Sequence, residues 1–560
     1  MGPQTPEDGN DISQRPPKRA RLEAVTPKDR HPNDIPSPAA PMRAGNVECR
    51  TFVDAYFRDV NRAYPFVDRA RVLSTLDSKG ASVLSASERD ADETTVFLVM
   101  AIGYTTLQRA GRVPTDSETD FQVEYKDILA GFLVEESTDT VQILLLLAIY
   151  SQFDPRGFST RPIVDMLARQ AIRLGLTRRA TADDGLSPAV AERNHRLFWS
   201  IYALDRMIAA SAGMPVALNG VNMDIPLPGI TVEEFASPDC AEYTSMLQTA
   251  RHLIELRKLE DKVLHRIHLR DRAETVSLTP SDRRIIAEDL RTEIEDWYSN
   301  GCLLKSAGAD DIQIHIRISW LAARYYNLLL LLYYPSRSSP TGTAPLLSRG
   351  ELASLAQKHV QANAVRFRQR QLPLNHVTLC RLFPVCMVFL HCFLASQGTH
   401  GGGPPPVDVR EEVSICADMM ASYPAHWTQA HHAAAVVRQL ASLVGTARPF
   451  PRAGASWALS ESDRAWRLAI KTRLTELTQQ VLGKGSTYRL VDDWEDAVGA
   501  AGVGQHMAGA SLHFDPQPAP GQGAGPMGLG GMSFEGPHEL DLSLRESEVA
   551  AGAFSIMDFL

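Results

Sequence analysis

The chain has 560 residues, of which 44% are hydrophobic and 22% are charged, a composition that excludes a chain disordered throughout. Its 57 lysines and arginines against 66 aspartates and glutamates give a net charge of −9, which argues against a protein that binds nucleic acid by bulk electrostatics. Seven cysteines exclude a disulfide scaffold, and the apolar runs at 143–150 and 328–334 are too short to span a bilayer, so we expect a soluble intracellular protein.

Residues 1–47 are predicted to form a disordered arm, because they contain nine prolines and few large apolar side chains. Lys18, Arg19 and Arg21 lie close together in this arm and form a basic cluster of the kind that nuclear import receptors bind. The cluster predicts a nuclear protein. The alternative is a solvated charge cluster that has no function.

Residues 48–498 are predicted to form a large multi-helix domain. The clearest helical stretch is 162–174, where an apolar stripe ends before Gly175, the position at which a helix end favours positive φ. Ser187 followed by Pro188 predicts a helix start, and residues 460–482 repeat the helical period. Because no alternating segments separated by hairpin turns occur, the predicted fold class is all-α. Residues 336–343 and 398–406 are turn-rich and are expected to be exposed connections.

Residues 499–560 are rich in glycine and proline and are predicted to form a flexible, disordered tail. Its last part, 534–560, contains six acids and one base among large apolar residues, a pattern typical of activation domains that bind coactivators. The alternative is an acidic terminus that aids solubility. The residues expected to contact a coactivator are Phe554, Ile556, Met557, Phe559 and Leu560.

A series of ordered motifs runs through residues 48–450. The most diagnostic string is Arg196–Arg206 (RLFWSIYALDR). The others are 52–57 with 64–67, 140–146, 171–176, 213–215, 224–228, 325–335, and Trp427 with Ala430. In this order they resemble the fungal-specific transcription factor domain, the middle homology region of the fungal binuclear zinc-cluster transcription factors. The resemblance implies a helical regulatory domain that responds to a signal.

The motif residues are expected to be structural rather than ligand-binding, and they are Leu197, Phe198, Trp199, Asp205, Arg206, Gly213 and Pro215. Neighbouring residues of a helix do not face each other, so Asp205 and Arg206 are predicted to pair with different helices. The alternative is that these two residues hold a small effector. Met214 replaces the arginine that is usual in the family's G-R-P motif.

Relatives in the resembled family usually begin with six cysteines that bind two zinc ions and place a helix in the DNA major groove. In this sequence Cys49 is the only cysteine before Cys240, so that cluster cannot be built from these residues. We therefore expect DNA contact only through a missing or partner-supplied zinc cluster, and no cofactor in this chain otherwise. A homodimer is possible, and no membrane contact is expected.

Residues with other chemistry are few. Cys380, Cys386, His391 and Cys392 lie in an apolar helical run and are predicted to be core residues rather than zinc ligands. The G-x-G-x-x-G match at 523–528 follows no strand and is rejected as a dinucleotide site. Residues 251–270 are basic and amphipathic, and we expect a core helix with a solvated charged face. No nucleophile or metalloprotease motif is present, so we expect no enzyme.

The leading hypothesis is thus a nuclear transcriptional regulator of the fungal zinc-cluster family, which controls transcription of a specific gene set by RNA polymerase II. The alternative is an interaction protein without a zinc cluster, which modulates other regulators and does not bind DNA itself.

Overall fold

A computed structural model describes residues 44–85, 89–113, 121–132, 136–154, 159–179, 185–220, 223–302, 312–336, 346–396, 409–446 and 461–489. Within these ranges the chain folds into eighteen α-helices, and the only β-type pairings are the isolated bridges Arg178–Asp224 and Ser336–Tyr488. The predicted all-α fold class is therefore confirmed for the described part of the chain.

The first ten helices include the longest one, α8, which packs on α6, α7 and α10. They are α1 (Ala44–Asp59), α2 (Arg69–Lys79), α3 (Ser82–Ser85), α4 (Ala91–Arg109), α5 (Tyr125–Phe132), α6 (Thr138–Ser151), α7 (Thr160–Arg173), α8 (Pro188–Ala212), α9 (Val232–Ala236) and α10 (Cys240–Val263). Helix α10 continues into a π-helical turn, Leu264–His268.

The remaining helices stack in sequence beyond α10. They are α11 (Arg272–Ser277), α12 (Pro280–Cys302), α13 (Ile312–Tyr333), α14 (Arg349–Arg368), α15 (His376–Ser396), α16 (Val409–Ala421), α17 (Thr428–Thr446) and α18 (Glu461–Leu482). Helix α1 packs on α4, α4 on α6, and α8 on α7, α10 and α15, while α13 packs on α14 and α16 on α17. One hydrophobic core runs from Cys49 to Tyr488 through these contacts.

Local sequence explains where the predicted helices begin and end. The hydroxyl of Ser187 accepts a hydrogen bond from the backbone N–H of Val190 at 3.3 Å, and Pro188 occupies the first turn of α8. Gly175 follows the end of α7 with a φ of +67°. The helices predicted at 162–174, after Ser187 and at 460–482 are confirmed as α7, α8 and α18.

One predicted boundary differs from the structure, and several predicted segments lie outside the described residues. Helix α1 begins at Ala44, inside the arm predicted to be disordered up to residue 47. Most of the predicted connections at 336–343 and 398–406, and the predicted tail 499–560, lie outside the described residues. Across the described ranges, no helix is long and apolar enough to cross a membrane.

Candidate functional site

The most diagnostic motif, Arg196–Arg206, lies on α8, and the structure buries all of it. Leu197 and Phe198 point into the core, as a hydrophobic stripe of a central helix should. Trp199 packs edge-on against Tyr202 at 5.2 Å between ring centroids, and its indole N–H donates to the carbonyl of Pro226 at 2.7 Å. Trp199 thus ties α8 to the segment that follows it.

The prediction that Asp205 and Arg206 pair with different helices is wrong for their main contact. Arg206 Nη1 donates to Asp205 Oδ2 at 2.8 Å, and both side chains are buried. Asp205 also accepts backbone N–H bonds from Ala217 at 2.8 Å and Leu218 at 3.0 Å, and Arg206 Nη2 donates to the carbonyl of Leu218 at 3.1 Å. Arg206 reaches a second helix as well, through Asp261 of α10 at 3.5 Å. The pair therefore fixes the segment after α8.

That segment begins at Gly213, which ends α8 with a φ of +66°. Residues 483–489 return to the same place: the Thr487 N–H and hydroxyl both donate to the carbonyl of Gly213, at 2.8 and 2.9 Å. The hydroxyl of Tyr488 donates to the carbonyl of Ala210. Pro215, next in the motif, is exposed. The motif residues thus organise the end of α8, and no ligand is needed to explain their burial.

A second network holds residues 226–234 on the first half of α8. Arg196 makes a bidentate ion pair with Glu234, at 2.7 and 2.6 Å, and donates to the carbonyl of Gly229 at 2.6 Å. Glu192 accepts the backbone N–H of Gly229 at 2.6 Å. Burial alone would raise the pKa of Glu234, but Arg196 and the hydrogen bonds of Thr231 outweigh it and lower the pKa. We call Glu192, Arg196 and residues 226–234 the wall, because these hydrogen bonds and ion pairs hold them together.

The wall borders a cleft of about 640 Å³ between α1, the 61–70 segment, the start of α8, α9 and α10. Its apolar lining includes Phe57, Phe66, Tyr243 and Met246. The volume lies within the range of about 300–1,000 Å³ that is usual for small-molecule sites. On size and lining, this cleft is the candidate functional site of the described structure.

The charges around the cleft largely compensate one another. Arg69 contacts Asp54 at 2.9 Å, and Arg62 contacts Glu242 at 3.8 Å. Burial lowers the pKa of the Arg62 guanidinium, with the nearby carboxylates opposing it. Since positive and negative groups alternate, the cleft is suited to an amphipathic molecule and has no excess of positive charge for a nucleic acid.

The cleft and its wall could not be predicted from the sequence, because their residues come from five separated segments. Glu234 gave one local signal: Thr231 and Glu234 form a capping box at the start of α9. Its partner Arg196 is the first residue of the motif Arg196–Arg206, and nothing in the sequence indicated that Arg196 pairs with Glu234.

The structure also gives the environment of two other predicted groups, the cysteines of α15 and the basic residues of α10. Cys380 and Cys386 are buried in α15, and burial raises the pKa of Cys380 to about 12, so this thiol is not a nucleophile. In the described ranges, no cluster of three or more His, Cys, Asp or Glu side chains could hold a metal ion. The face expected to be solvated on α10 is only partly so, because Arg257 and Glu260 are fully buried.

Two groups of predicted site residues lie outside the described residues. They are Lys18, Arg19 and Arg21 of the basic cluster, and Phe554, Ile556, Met557, Phe559 and Leu560 of the acidic tail. The side chains of His391 and Cys392 also lie outside them.

Comparison with known proteins gives a consistent family. Residues 53–299 match the family model described as the fungal specific transcription factor domain. Protein STB5 of Saccharomyces cerevisiae is 30% identical over 427 residues, which are 70% of this chain and 54% of that protein. The negative regulator of pleiotropic drug resistance STB5 of Candida glabrata is 32% identical over 267 residues, which are 45% of this chain and 25% of that protein.

A more distant relative is the ABC-transporter-regulating transcription factor of Aspergillus fumigatus, 24% identical over 208 residues that cover 36% of this chain and 23% of that protein. The chain spans about half the length of the first relative it matches and a quarter of the second. The family match includes α8 and both networks that hold the segments after it. Residues 53–299 of this chain therefore form a fungal specific transcription factor domain.

Proposed function

We propose that this protein is a non-enzymatic nuclear regulator that controls transcription of a specific gene set by RNA polymerase II. The single observation that supports this proposal most is the fungal specific transcription factor domain at residues 53–299. Its α8 motif serves as a buried scaffold and contains no arrangement of nucleophile and base. A helical body of this kind presents surfaces and clefts for regulation.

The names of two relatives support a narrower proposal for the target genes. The Candida glabrata relative is named for pleiotropic drug resistance, and the Aspergillus fumigatus relative for the regulation of ABC transporters. We propose that the genes controlled by this protein include ABC transporter genes. DNA would be reached through a zinc cluster of the kind that family members contain, either as part of a longer protein or supplied by a partner.

The test is expression profiling after deletion of the gene, combined with chromatin occupancy of the tagged protein. We expect a defined set of transcripts to change, ABC transporter transcripts among them, and the tagged protein to occupy the promoters of those genes. Occupancy without a bound partner would support direct DNA contact. A deletion strain with an unchanged transcriptome would contradict the proposal.

Import through the basic cluster is part of the same proposal. Replacing Lys18, Arg19 and Arg21 by Ala together should move a fluorescent fusion of the full chain from the nucleus to the cytoplasm, because import receptors bind the charges of such clusters. The matched control replaces Lys28, Arg30 and Arg43, which lie in the same predicted arm but are spread along it. Nuclear fluorescence that survives the first triple change would exclude the cluster.

The acidic tail is proposed to bind a coactivator. Residues 534–560 fused to a foreign DNA-binding domain should activate a reporter, and Phe554→Ala with Met557→Ala and Phe559→Ala should remove most of that activity, because apolar residues anchor such helices in grooves. Leu540→Ala with Leu542→Ala and Leu544→Ala is the matched control in the same fusion. A reporter that stays silent would assign the tail to solubility, and one that responds equally to both sets would exclude Phe554, Met557 and Phe559 as the specific anchors.

A further inference from the structure

An unusual concentration of positive charge lies inside the protein, where α10, α13, α14 and α15 meet. Four arginines from these helices are buried: Arg257, Arg324, Arg366 and Arg381. The carboxylate of Glu260 lies among them and is itself 1% exposed. Burial of a charge that is not compensated costs several kcal/mol per ion, so such a cluster needs compensation.

Glu260 is already committed to two of the arginines. Its Oε2 accepts from Arg257 Nη1 at 2.6 Å, and its Oε1 accepts from Arg381 Nη2 at 3.4 Å. Arg366 donates from Nη2 to the carbonyl of Gln371 at 3.1 Å. Arg257, Arg381 and Arg366 therefore each have a hydrogen-bond partner, and Arg324 is the fourth arginine of the cluster.

Arg324 is 2% exposed, and its Nε and Nη1 atoms have no hydrogen-bond partner among the residues that the structure describes. Its surroundings disfavour its charge: burial, and then the charges of Arg381, Arg366 and Arg257, lower its pKa well below the ordinary value, with Glu260 opposing them. The neighbouring His359 adds no positive charge at neutral pH, because burial and the same arginines lower its pKa to about 3.

We propose that Arg324 marks a buried anion site at the junction of α10, α13, α14 and α15, and that its ligand presents an oxyanion group, a phosphate or a carboxylate. Nε and Nη1 of Arg324 are two donors without a hydrogen-bond partner among the described residues, and a guanidinium donates strong, charge-assisted hydrogen bonds to the oxygens of such a group. Arg257, Arg366 and Arg381 supply the surrounding positive potential. The site lies away from the cleft beside α9 and does not depend on the proposed role in transcription.

The test measures the thermal stability of the purified full chain during titration with potassium phosphate or with citrate, against potassium chloride at equal ionic strength and pH 7. We expect Tm to rise by about 3 °C or more at saturation with one oxyanion, because a ligand that binds the folded state stabilises it. The oxyanion whose titration saturates shows whether the ligand presents a phosphate or a carboxylate. Equal curves for both oxyanions and chloride would overturn the proposal.

Variants assign the effect to Arg324. Arg324→Met removes the charge and keeps most of the side-chain volume, so the saturating rise should disappear, while Arg438→Met, at an exposed arginine of α17, should keep it. If Arg324→Met does not fold, Arg324→Lys decides: it keeps the charge without the planar fork, and the midpoint of the titration should increase at least tenfold. An unchanged midpoint in Arg324→Lys, or a rise retained in Arg324→Met, would contradict the site.

Discussion

Asp205 shows how a short polar side chain can hold a whole segment. It is fully buried, and burial raises the pKa of its carboxyl, whereas Arg206 and the N–H groups of Ala217 and Leu218 act in the opposite direction. Those partners belong to the segment after α8, so the carboxylate joins a helix to the chain that leaves it. That both charged residues are structural stays a prediction, and the sequence could not show that the long arginine side chain reaches its own neighbour.

Asp205→Asn should destabilise the protein strongly. The amide cannot accept from Arg206 and from both N–H groups together, so a buried guanidinium loses its main partner, and breaking such a pair costs about 3–5 kcal/mol. The free energy of unfolding in urea is the measurement. Asp418→Asn is the control, because Asp418 and Arg438 are an exposed pair whose loss costs about 1 kcal/mol or less. Equal losses in the two variants would show that Asp205 has no such role.

Among the secondary-structure elements, the helices were predictable and their connections were not. Periodicity and caps located α7, α8 and α18 because these signals are local. The π-helical turn at Leu264–His268 replaces an α-helical turn that periodicity predicted, and it directs His268 to the carbonyl of Leu331 at 2.7 Å. The docking of residues 483–489 on the end of α8 depends on contacts across more than 270 positions, for which a single sequence has no signal.

That docking makes a specific demand at Gly213. A Cβ there would lie 2.9 Å from the ring of Tyr488, and the φ of +66° disfavours any side chain. Gly185 has nearly the same φ, +64°, but a Cβ there would meet nothing within 4 Å. Gly213→Ala should therefore cost more than Gly185→Ala, which should lose only about 1–2 kcal/mol from the backbone. The crowding of Tyr488 should add about 1–3 kcal/mol.

Urea unfolding of the two glycine variants tests this comparison, since they share the backbone term and differ in the contact. The cost of Gly213→Ala should be smaller in a Tyr488→Leu background than in the wild-type protein, because the smaller side chain relieves the contact. Equal free energies of unfolding for Gly213→Ala and Gly185→Ala would mean that residues 483–489 do not press on the end of α8.

At the scale of the whole molecule, sequence patterns were sufficient for the fold class and the family, because both depend on many local motifs in order. They were insufficient for the polar interior. Periodicity placed the basic residues of 251–270 on a solvated face, yet Arg257 and Glu260 are buried, because α10 packs on α8, α12 and α13, and Arg381 of α15 also contacts Glu260. An amphipathic pattern indicates one buried face of a helix, whereas a second buried face depends on tertiary packing.

Four histidines should make the fold sensitive to acid, because burial lowers the pKa of each: His376 and, by a larger shift, His252, His268 and His359. Burial lowers the pKa of His252 and His268 to about 4 and, with nearby arginines, that of His359 to about 3. In the unfolded chain histidine titrates near 6.5, so between pH 6.5 and 4 the unfolded state binds more protons than the folded state. Stability is therefore complete above about pH 6.5 and falls as the pH decreases.

Lowering the pH from 7.5 to 5.5 should reduce the free energy of unfolding by about 1.4 kcal/mol for each histidine whose pKa falls to about 3 or 4. His265 opposes this trend, since hydrogen bonding to Asp261 raises its pKa, but it is partly exposed and its contribution is screened. His268→Gln should therefore remove about 1.4 kcal/mol of the pH dependence, whereas His432→Gln, at an exposed position, should leave it unchanged. Urea unfolding of the three proteins at both pH values measures these slopes. A wild-type slope near zero, or one that His268→Gln does not alter, would mean that the buried imidazoles gain protons inside the folded protein.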